Sequence, residues 1–167
     1  MIKIVSKKNK ELTQSELVKI SFLKKTFWEY SIKSQISFLK KNYKKNDIHN
    51  LFYKKKKLIG YNSLKIRKHS NFRYSIFDSF IIHHRYRDKK QSLKLMNFNK
   101  KKIKELKITS FLVCKKKLFS FYKKTGWKKI DDRKYKIFRL KKNFQAMIFN
   151  DKKIGTNILT PIIIKIK

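Results

Sequence analysis

Cysteine, proline and glycine are nearly missing from this chain: its 167 residues include one cysteine, one proline and three glycines. A lone cysteine, Cys114, excludes an internal disulfide and any zinc site built from several thiolates, and it suits a reducing, cytoplasmic setting. So little glycine and proline leaves few punctuated turns, so element boundaries have to be read from hydrophobic periodicity. Acid is scarce as well, with 10 Asp and Glu against 47 Lys and Arg and a formal net charge of +37. No apolar run approaches the ~20 residues of a membrane-spanning helix, and the opening MIKIVSKKNKEL lacks the apolar region of a signal peptide. Neither a membrane span nor an exported chain is expected.

What is abundant is lysine, isoleucine, asparagine, phenylalanine and tyrosine. Two readings of the charge stand side by side. So cationic a surface draws in polyanions, whether nucleic acid or an anionic membrane. Yet the abundant residues are those with A/T-rich codons, and a strongly A/T-biased genome produces the same balance whatever the protein does. With 41% hydrophobic and 14% aromatic residues, the chain has the material for a sizeable core and is expected to fold.

Met1 to Ser6 alternates as a short strand. Thr13-Gln-Ser-Glu16 has capping-box spacing, followed by Leu17, Ile20, Phe22, Leu23, Phe27 and Trp28 on a helix. Ile32, Ile36, Leu39 and Tyr43 mark a second helix. Ile48 to Tyr53 and Leu58 to Arg67 read as a hairpin across the lysine turn Lys54 to Lys57. Phe72 to Ile82 is a long aromatic and β-branched strand. A helix from Ser92 to about Glu105, a strand from Leu106 to Val113 and a short helix from Leu118 to Thr125 follow. Three further strands are predicted over Trp127 to Ile130, Tyr135 to Leu140 and Phe144 to Asn150. The order predicts an α/β fold, a mixed sheet flanked by helices on both faces. One domain spans residues 1–150, and 151–167 forms an extra strand or a tail.

The stretch FLVCKKKLFSFYKKTGWKKI, from Phe111 to Ile130, carries a more specific signal. Gly126 ends the short helix where a left-handed residue is needed, and Trp127 opens the next strand. Phe121-Tyr122-Lys123-Lys124-Thr125-Gly126-Trp127, behind a strand that ends in Leu112-Val113-Cys114, resembles a signature of the GNAT superfamily of N-acetyltransferases. KKLIGYNSLKIRKH adds to the likeness, which is greatest to the aminoglycoside 2′-N-acetyltransferase-like branch and covers about Glu11 to Asn150. The resemblance implies the acyl-CoA N-acyltransferase fold and acetyl-CoA as co-substrate. The family's pyrophosphate loop, Arg/Gln-x-x-Gly-x-Gly/Ala, falls on Arg87, Asp88, Lys89, Lys90, Gln91 and Ser92. Lys90 stands where the central glycine is expected, while Lys89 and Lys90 add positive charge beside an anion at a helix start.

By the same resemblance, Phe80, Ile81 and Ile82 offer main-chain groups to the pantetheine arm and the thioester carbonyl, and Tyr122 protonates the departing thiolate. The proton acceptor has no motif of its own. Asp78, a carboxylate within a strand, is the candidate, against a plain surface or lysine-paired role. His83 and His84 read as polar strand-end residues on opposite faces, which make no metal site, and no metal is expected. Ser110 and Lys115 replace a glutamate and an asparagine found in some amino-group acetyltransferases, which counts against protein N-terminus acetylation. Cys114 lacks a histidine partner for nucleophilic work.

The expected activity is acetyl transfer from acetyl-CoA to a primary amine of a small molecule, antibiotic-like by analogy with the resembled branch; for a cationic acceptor of that kind Glu29, Asp47 or Asp78 would have to make the cleft locally acidic. The alternative is a degenerate member of the fold that binds nucleic acid or another polyanion through lysines interleaved with aromatics.

Overall fold

The computed structural model describes residues 1–151 and 161–165. Its elements are β1 (Ile2–Lys8), α1 (Gln14–Lys25), α2 (Ile32–Asn42), β2 (Ile48–Lys54), β3 (Lys57–His69), β4 (Phe72–Ile82), α3 (Lys89–Glu105), β5 (Thr109–Lys115), α4 (Phe119–Lys124), β6 (Lys128–Lys129), β7 (Tyr135–Ile137), β8 (Phe144–Phe149) and β9 (Ile162–Ile164). Seven strands form a mixed sheet in the order β1-β2-β3-β4-β5-β8-β6, so the architecture is mixed α/β as predicted. The chain divides into two compact units, residues 1–66 with 77–99, and residues 67–76 with 100–167.

In the first unit, β1 and β2 pair antiparallel from Ile2↔Lys54 to Lys8↔Ile48, and β2 pairs antiparallel with β3 with a register shift between Phe52 and Tyr53. Thr13 begins α1 as its pattern predicts: its hydroxyl accepts from the Glu16 N–H at 3.2 Å, and the Glu16 carboxylate accepts from the Thr13 N–H at 2.9 Å. The helix stops at Lys25, so Phe27 and Trp28 lie beyond it. Strand alternation sends neighbouring residues to opposite faces. Leu51, Tyr61 and Ile81 therefore pack with Ile20 and Leu23 of α1 and Leu39 of α2, whereas Phe52, Ile59 and Ile82 pack with Leu95 of α3. Helices cover both faces of this unit's strands.

Three buried asparagines cross the α3 side. The Asn99 carbonyl accepts from the side-chain amides of Asn62 at 2.8 Å and Asn50 at 3.2 Å. On the other face, the fully buried His49 has its ring nitrogens 2.8 Å from the Tyr61 hydroxyl and 3.2 Å from the Asn9 side-chain oxygen. The Asn9 oxygen can only accept, so Nε2 carries the proton and Nδ1 accepts from Tyr61.

The second unit is built around the parallel pair β4 and β5 (Tyr74↔Thr109 to Ile76↔Phe111) and the antiparallel pair β5 and β8 (Ser110↔Phe149 to Lys115↔Phe144). Tyr74, Phe111, Tyr135, Ala146 and Ile148 form its core. At the end of α4, Gly126 takes φ +91°, and the Trp127 N–H reaches back to the Tyr122 carbonyl at 3.1 Å. This is the Schellman closure that the Gly-Trp pair foreshadows. β5 starts at Thr109 rather than Leu106, because Lys107 (φ +53°) first turns the chain out of α3. In the segment 151–167, Ile162–Ile164 is a strand paired parallel with β7; residues 152–160 and 166–167 lie outside the described residues.

Two outcomes follow from this packing. A Cβ on Gly60 would lie 2.7 Å from Ile82 Cδ1, 3.0 Å from Phe52 Cδ1 and 3.2 Å from the Ile81 carbonyl oxygen. Gly60→Ala is thus expected to destabilise the fold by about 1 to 3 kcal/mol, seen as a lower urea midpoint at unchanged m-value. The second outcome concerns His49, whose pKa burial, helped by the charge of Lys24, lowers from 6.5 to about 4. Between those values the unfolded chain binds a proton that the folded chain refuses, so stability falls as pH drops from 6.5 to 4, by up to about 3 kcal/mol. Urea titrations across that window should show the loss, and His49→Gln should flatten it.

Candidate active site

The candidate site is assembled from the second half of β4 and the segments that face it within the first unit. Asp78 lies in mid-strand, followed by Ser79 at φ +56°, a left-handed conformation that an L-residue adopts at a cost of about 1 to 2 kcal/mol. Such strain concentrates at functional positions. Asp78 and Ser79 line a cavity of about 390 Å³ together with Lys24 of α1, Ser34, Gln35 and Phe38 of α2, and Trp28 and Tyr30 from the loop between those helices. The volume falls in the range of small-ligand sites. Trp28, Tyr30 and Phe38 keep much of their ring surface exposed, which gives the cavity apolar walls.

Asp78 is neither a bare surface acid nor isolated. Lys65 Nζ of β3 lies 3.0 Å from its carboxylate and the Tyr43 hydroxyl donates to the same oxygen at 3.2 Å. Ser63 Oγ donates to its carbonyl at 3.3 Å and lies 2.8 Å from the Tyr43 hydroxyl. Burial pushes the Asp78 pKa up, but the charge and hydrogen bond of Lys65, the charge of Lys24 and the Tyr43 bond outweigh it and hold the carboxyl below its ordinary range. The group is therefore ionised at neutral pH. Lys65 is buried, with its ammonium also 4.9 Å from the Tyr43 ring centre. Burial lowers the Lys24 pKa, partly offset by Asp78.

Of the other carboxylates considered from the sequence, Asp47 does not line this cavity. It is fully buried, accepting from the Ile66 N–H at 2.7 Å and the Lys44 N–H at 2.9 Å. Glu29 is exposed and is not among the residues that line the cavity.

The loop after β4 differs from its expected shape. α3 begins at Lys89, three residues before Ser92, and Asp88 caps it: its carboxylate accepts from the Gln91 N–H at 2.6 Å and its carbonyl from the Ser92 N–H at 3.1 Å. Lys90 is consequently helical and does not adopt the positive φ that a glycine at its position would suggest. The Arg87 guanidinium folds back, donating through Nε to the Ile82 carbonyl at 3.3 Å and lying 4.5 Å from the Phe27 ring centre. Lys89 and Lys90 are exposed, and Gln91 and Ser92 half-buried. Phe80 and Ile82 pack toward α3, and Ile81 toward α1 and α2. His83 and His84 stack on each other, ring centres 4.4 Å apart, because the strand ends at Ile82 and His84 already opens a 3-10 turn; they do not point to opposite strand faces. Among the described residues no group of three or more His, Cys, Asp and Glu side chains is placed to hold a metal.

In the second unit, Tyr122 is buried on α4, edge-on to Trp127. Burial, with a contribution from Cys114, raises its pKa well above the tyrosine range. It therefore stays protonated at working pH. Burial also raises the pKa of the Cys114 thiol, which disfavours the nucleophilic thiolate.

Sequence reasoning singled out Asp78 but missed its partners Lys24, Tyr43, Ser63 and Lys65. Their only sequence signal was the alternation that places Ser63 and Lys65 on the face of β3 that Tyr61 shares.

No helix among the described residues is long and apolar enough to cross a membrane. No curated protein sequence matches the chain. Solved structures do: ElaA of Escherichia coli aligns with TM-score 0.68 at 15% identity, over 89% of this chain and 99% of that one. The PaiA N-acetyltransferase of Thermoplasma acidophilum, in complex with coenzyme A, aligns with TM-score 0.58 at 20% identity, over 87% and 98%. An aminoglycoside 6′-N-acetyltransferase complexed with coenzyme A aligns with TM-score 0.65 at 11% identity, over 86% and 94%. These likenesses establish the fold. The profile of the acetyltransferase (GNAT) domain matches residues 9–137, and on that match the chain belongs to the GNAT acetyltransferase family.

Proposed function

We propose that the protein is an acetyl-CoA-dependent N-acetyltransferase whose acceptor is a primary amine on a small molecule. The observation that carries this reading is the cavity beside Asp78 and Ser79. It is small, walled by aromatic rings and entered by an ionised carboxylate, and it lies in the strand that continues directly into Phe80-Ile81-Ile82. In the proposed reaction the acceptor ammonium loses a proton, and the neutral amine attacks the thioester carbonyl. The tetrahedral intermediate collapses to the amide, and the leaving thiolate takes a proton to give coenzyme A. One proton is released overall.

Asp78 is assigned the amine proton, directly or through one water; Tyr122, whose raised pKa keeps its hydroxyl proton in place, is assigned the thiolate. Main-chain groups of Phe80, Ile81 and Ile82 are assigned to the thioester and pantetheine arm. Arg87, Asp88, Lys89, Lys90, Gln91 and Ser92 are assigned to the pyrophosphate, which would displace the Asp88 carboxylate from the N–H groups at the start of α3. The likeness to the aminoglycoside 2′-N-acetyltransferase-like branch rests on the motif around Tyr122 and Gly126 and on KKLIGYNSLKIRKH, and of the three acids expected to make the cleft acidic only Asp78 lines the cavity.

A second reading, a degenerate member that binds polyanions, is favoured by two observations: Asp88 already occupies the helix start, and Arg87 is turned onto Phe27. Isothermal titration at high salt separates the two. The proposed function expects one-site binding of acetyl-CoA and far weaker binding of ATP; no acetyl-CoA binding selects the second reading. Asp88→Asn, which keeps a capping oxygen but removes the charge, is expected to tighten acetyl-CoA binding about two- to fivefold.

Tyr122→Phe is expected to lower kcat at least tenfold with little change in KM for acetyl-CoA. Full turnover would remove Tyr122 from the mechanism. Asp78→Asn is expected to lower kcat/KM for the amine by one to two orders of magnitude.

A further inference from the structure

The cavity is lined by one lysine, Lys24, and one carboxylate, Asp78, and Lys65, outside the lining, already neutralises that carboxylate. Lys65 is engaged, 3.0 Å from Asp78. Lys24 is not: it is only 4% exposed, and among the described residues its ammonium has no hydrogen bond or ion pair at contact distance, only the ring faces of Phe38 at 4.9 Å and Trp28 at 5.6 Å and the more distant charge of Asp78. A buried ammonium in contact with aromatic faces alone lacks the hydrogen-bond acceptors that such a group requires. Gln35, also buried, and Ser34 add polar character but no negative charge. A polycationic acceptor would bring further positive charge to a cavity that already has a surplus. An acceptor with its own anion would instead supply the partner that Lys24 lacks.

We propose that the acceptor is an amine bearing a carboxylate and an apolar ring or chain, the chemistry of a free hydrophobic amino acid, with its carboxylate on Lys24, its ammonium toward Asp78 and its apolar group against Trp28, Tyr30 and Phe38. This rests on the acetyltransferase reading above and narrows it. The three groups of such a zwitterion match the three kinds of wall. A charge-assisted bond from Lys24 Nζ to a carboxylate is worth more in a cavity shielded from water than at the surface. The exposed rings gain a cover of the kind they lack. The transfer itself is unchanged: the amine proton is released, the acetyl group forms the amide, and coenzyme A leaves as the thiol.

The test compares phenylalanine, phenylalanine amide and phenethylamine as acceptors for the full-length protein with saturating acetyl-CoA, following released thiol. Phenylalanine is expected to show kcat/KM at least tenfold above both analogues, and Lys24→Met is expected to bring the ratio close to one. Equal or better use of either analogue by the wild-type protein would overturn the proposal, as would an undiminished ratio in Lys24→Met.

Tryptophan fluorescence supplies a readout that needs neither turnover nor acetyl-CoA, since Trp28 lines the cavity and Trp127 is buried elsewhere. Phenylalanine should change the emission at concentrations at least tenfold lower than its amide does, and Trp28→Phe should abolish the change. A preference for the acid in this assay with no acetyl-CoA binding would uphold the carboxylate site and sink the transferase reading. Acetyl transfer to amines without that preference would do the reverse. If Lys24→Met does not fold, the wild-type comparison of acid with amide still decides.

Discussion

The ion pair between Lys65 and Asp78 is the constraint on which the candidate site depends. A carboxylate in mid-strand and a buried lysine opposite it are each costly alone; together, with the Tyr43 hydroxyl, each satisfies the other. Removing the carboxylate would leave the Lys65 ammonium buried without its partner, whereas removing Lys65 would leave a carboxylate that the cavity still exposes. Around that pair the remaining features fall into place. Tyr43 and Ser63 both donate to Asp78, Ser79 takes its left-handed turn beside that anchored neighbour, and Lys24 is left as the cation with no acid at contact distance.

Much of the fold could be read before any coordinates. β4 runs over Phe72–Ile82 as its aromatic and β-branched composition indicates, and the Thr13 capping box and the Gly126 helix end behave as their residue types require. Other boundaries were less legible. α3 starts early because Asp88 caps it, and the sequence marks that start with Asp88 followed three residues later by Gln91, inside the same residues that read as a phosphate loop. β5 starts late because Lys107 adopts a left-handed conformation with no glycine to announce it.

The site was legible only in part, for a physical reason. Asp78 stood out because acids are rare, whereas Lys24 and Lys65 could not stand out among 47 basic residues. Burial distinguishes them, and burial depends on packing from α1, α2 and β3 that spacing alone does not fix. The large net charge is a property of the surface; the informative charges are the two lysines that the surface does not contain. Lysines spread over a surface and lysines buried beside a cavity thus coexist in one chain, the same residue type in two settings.

The three buried asparagines bear on how the start of α3 is placed. An apolar helix face can slide along a sheet by fractions of a turn at little cost, since one methyl contact replaces another. The Asn99 carbonyl, held by both Asn50 and Asn62, admits one axial setting. Asn99 lies ten residues after Lys89, roughly 15 Å along the helix. The amide trio therefore works as a detent: it indexes the helix lengthwise from its middle, so that the free N–H groups of the first turn stand at a fixed height above the end of β4.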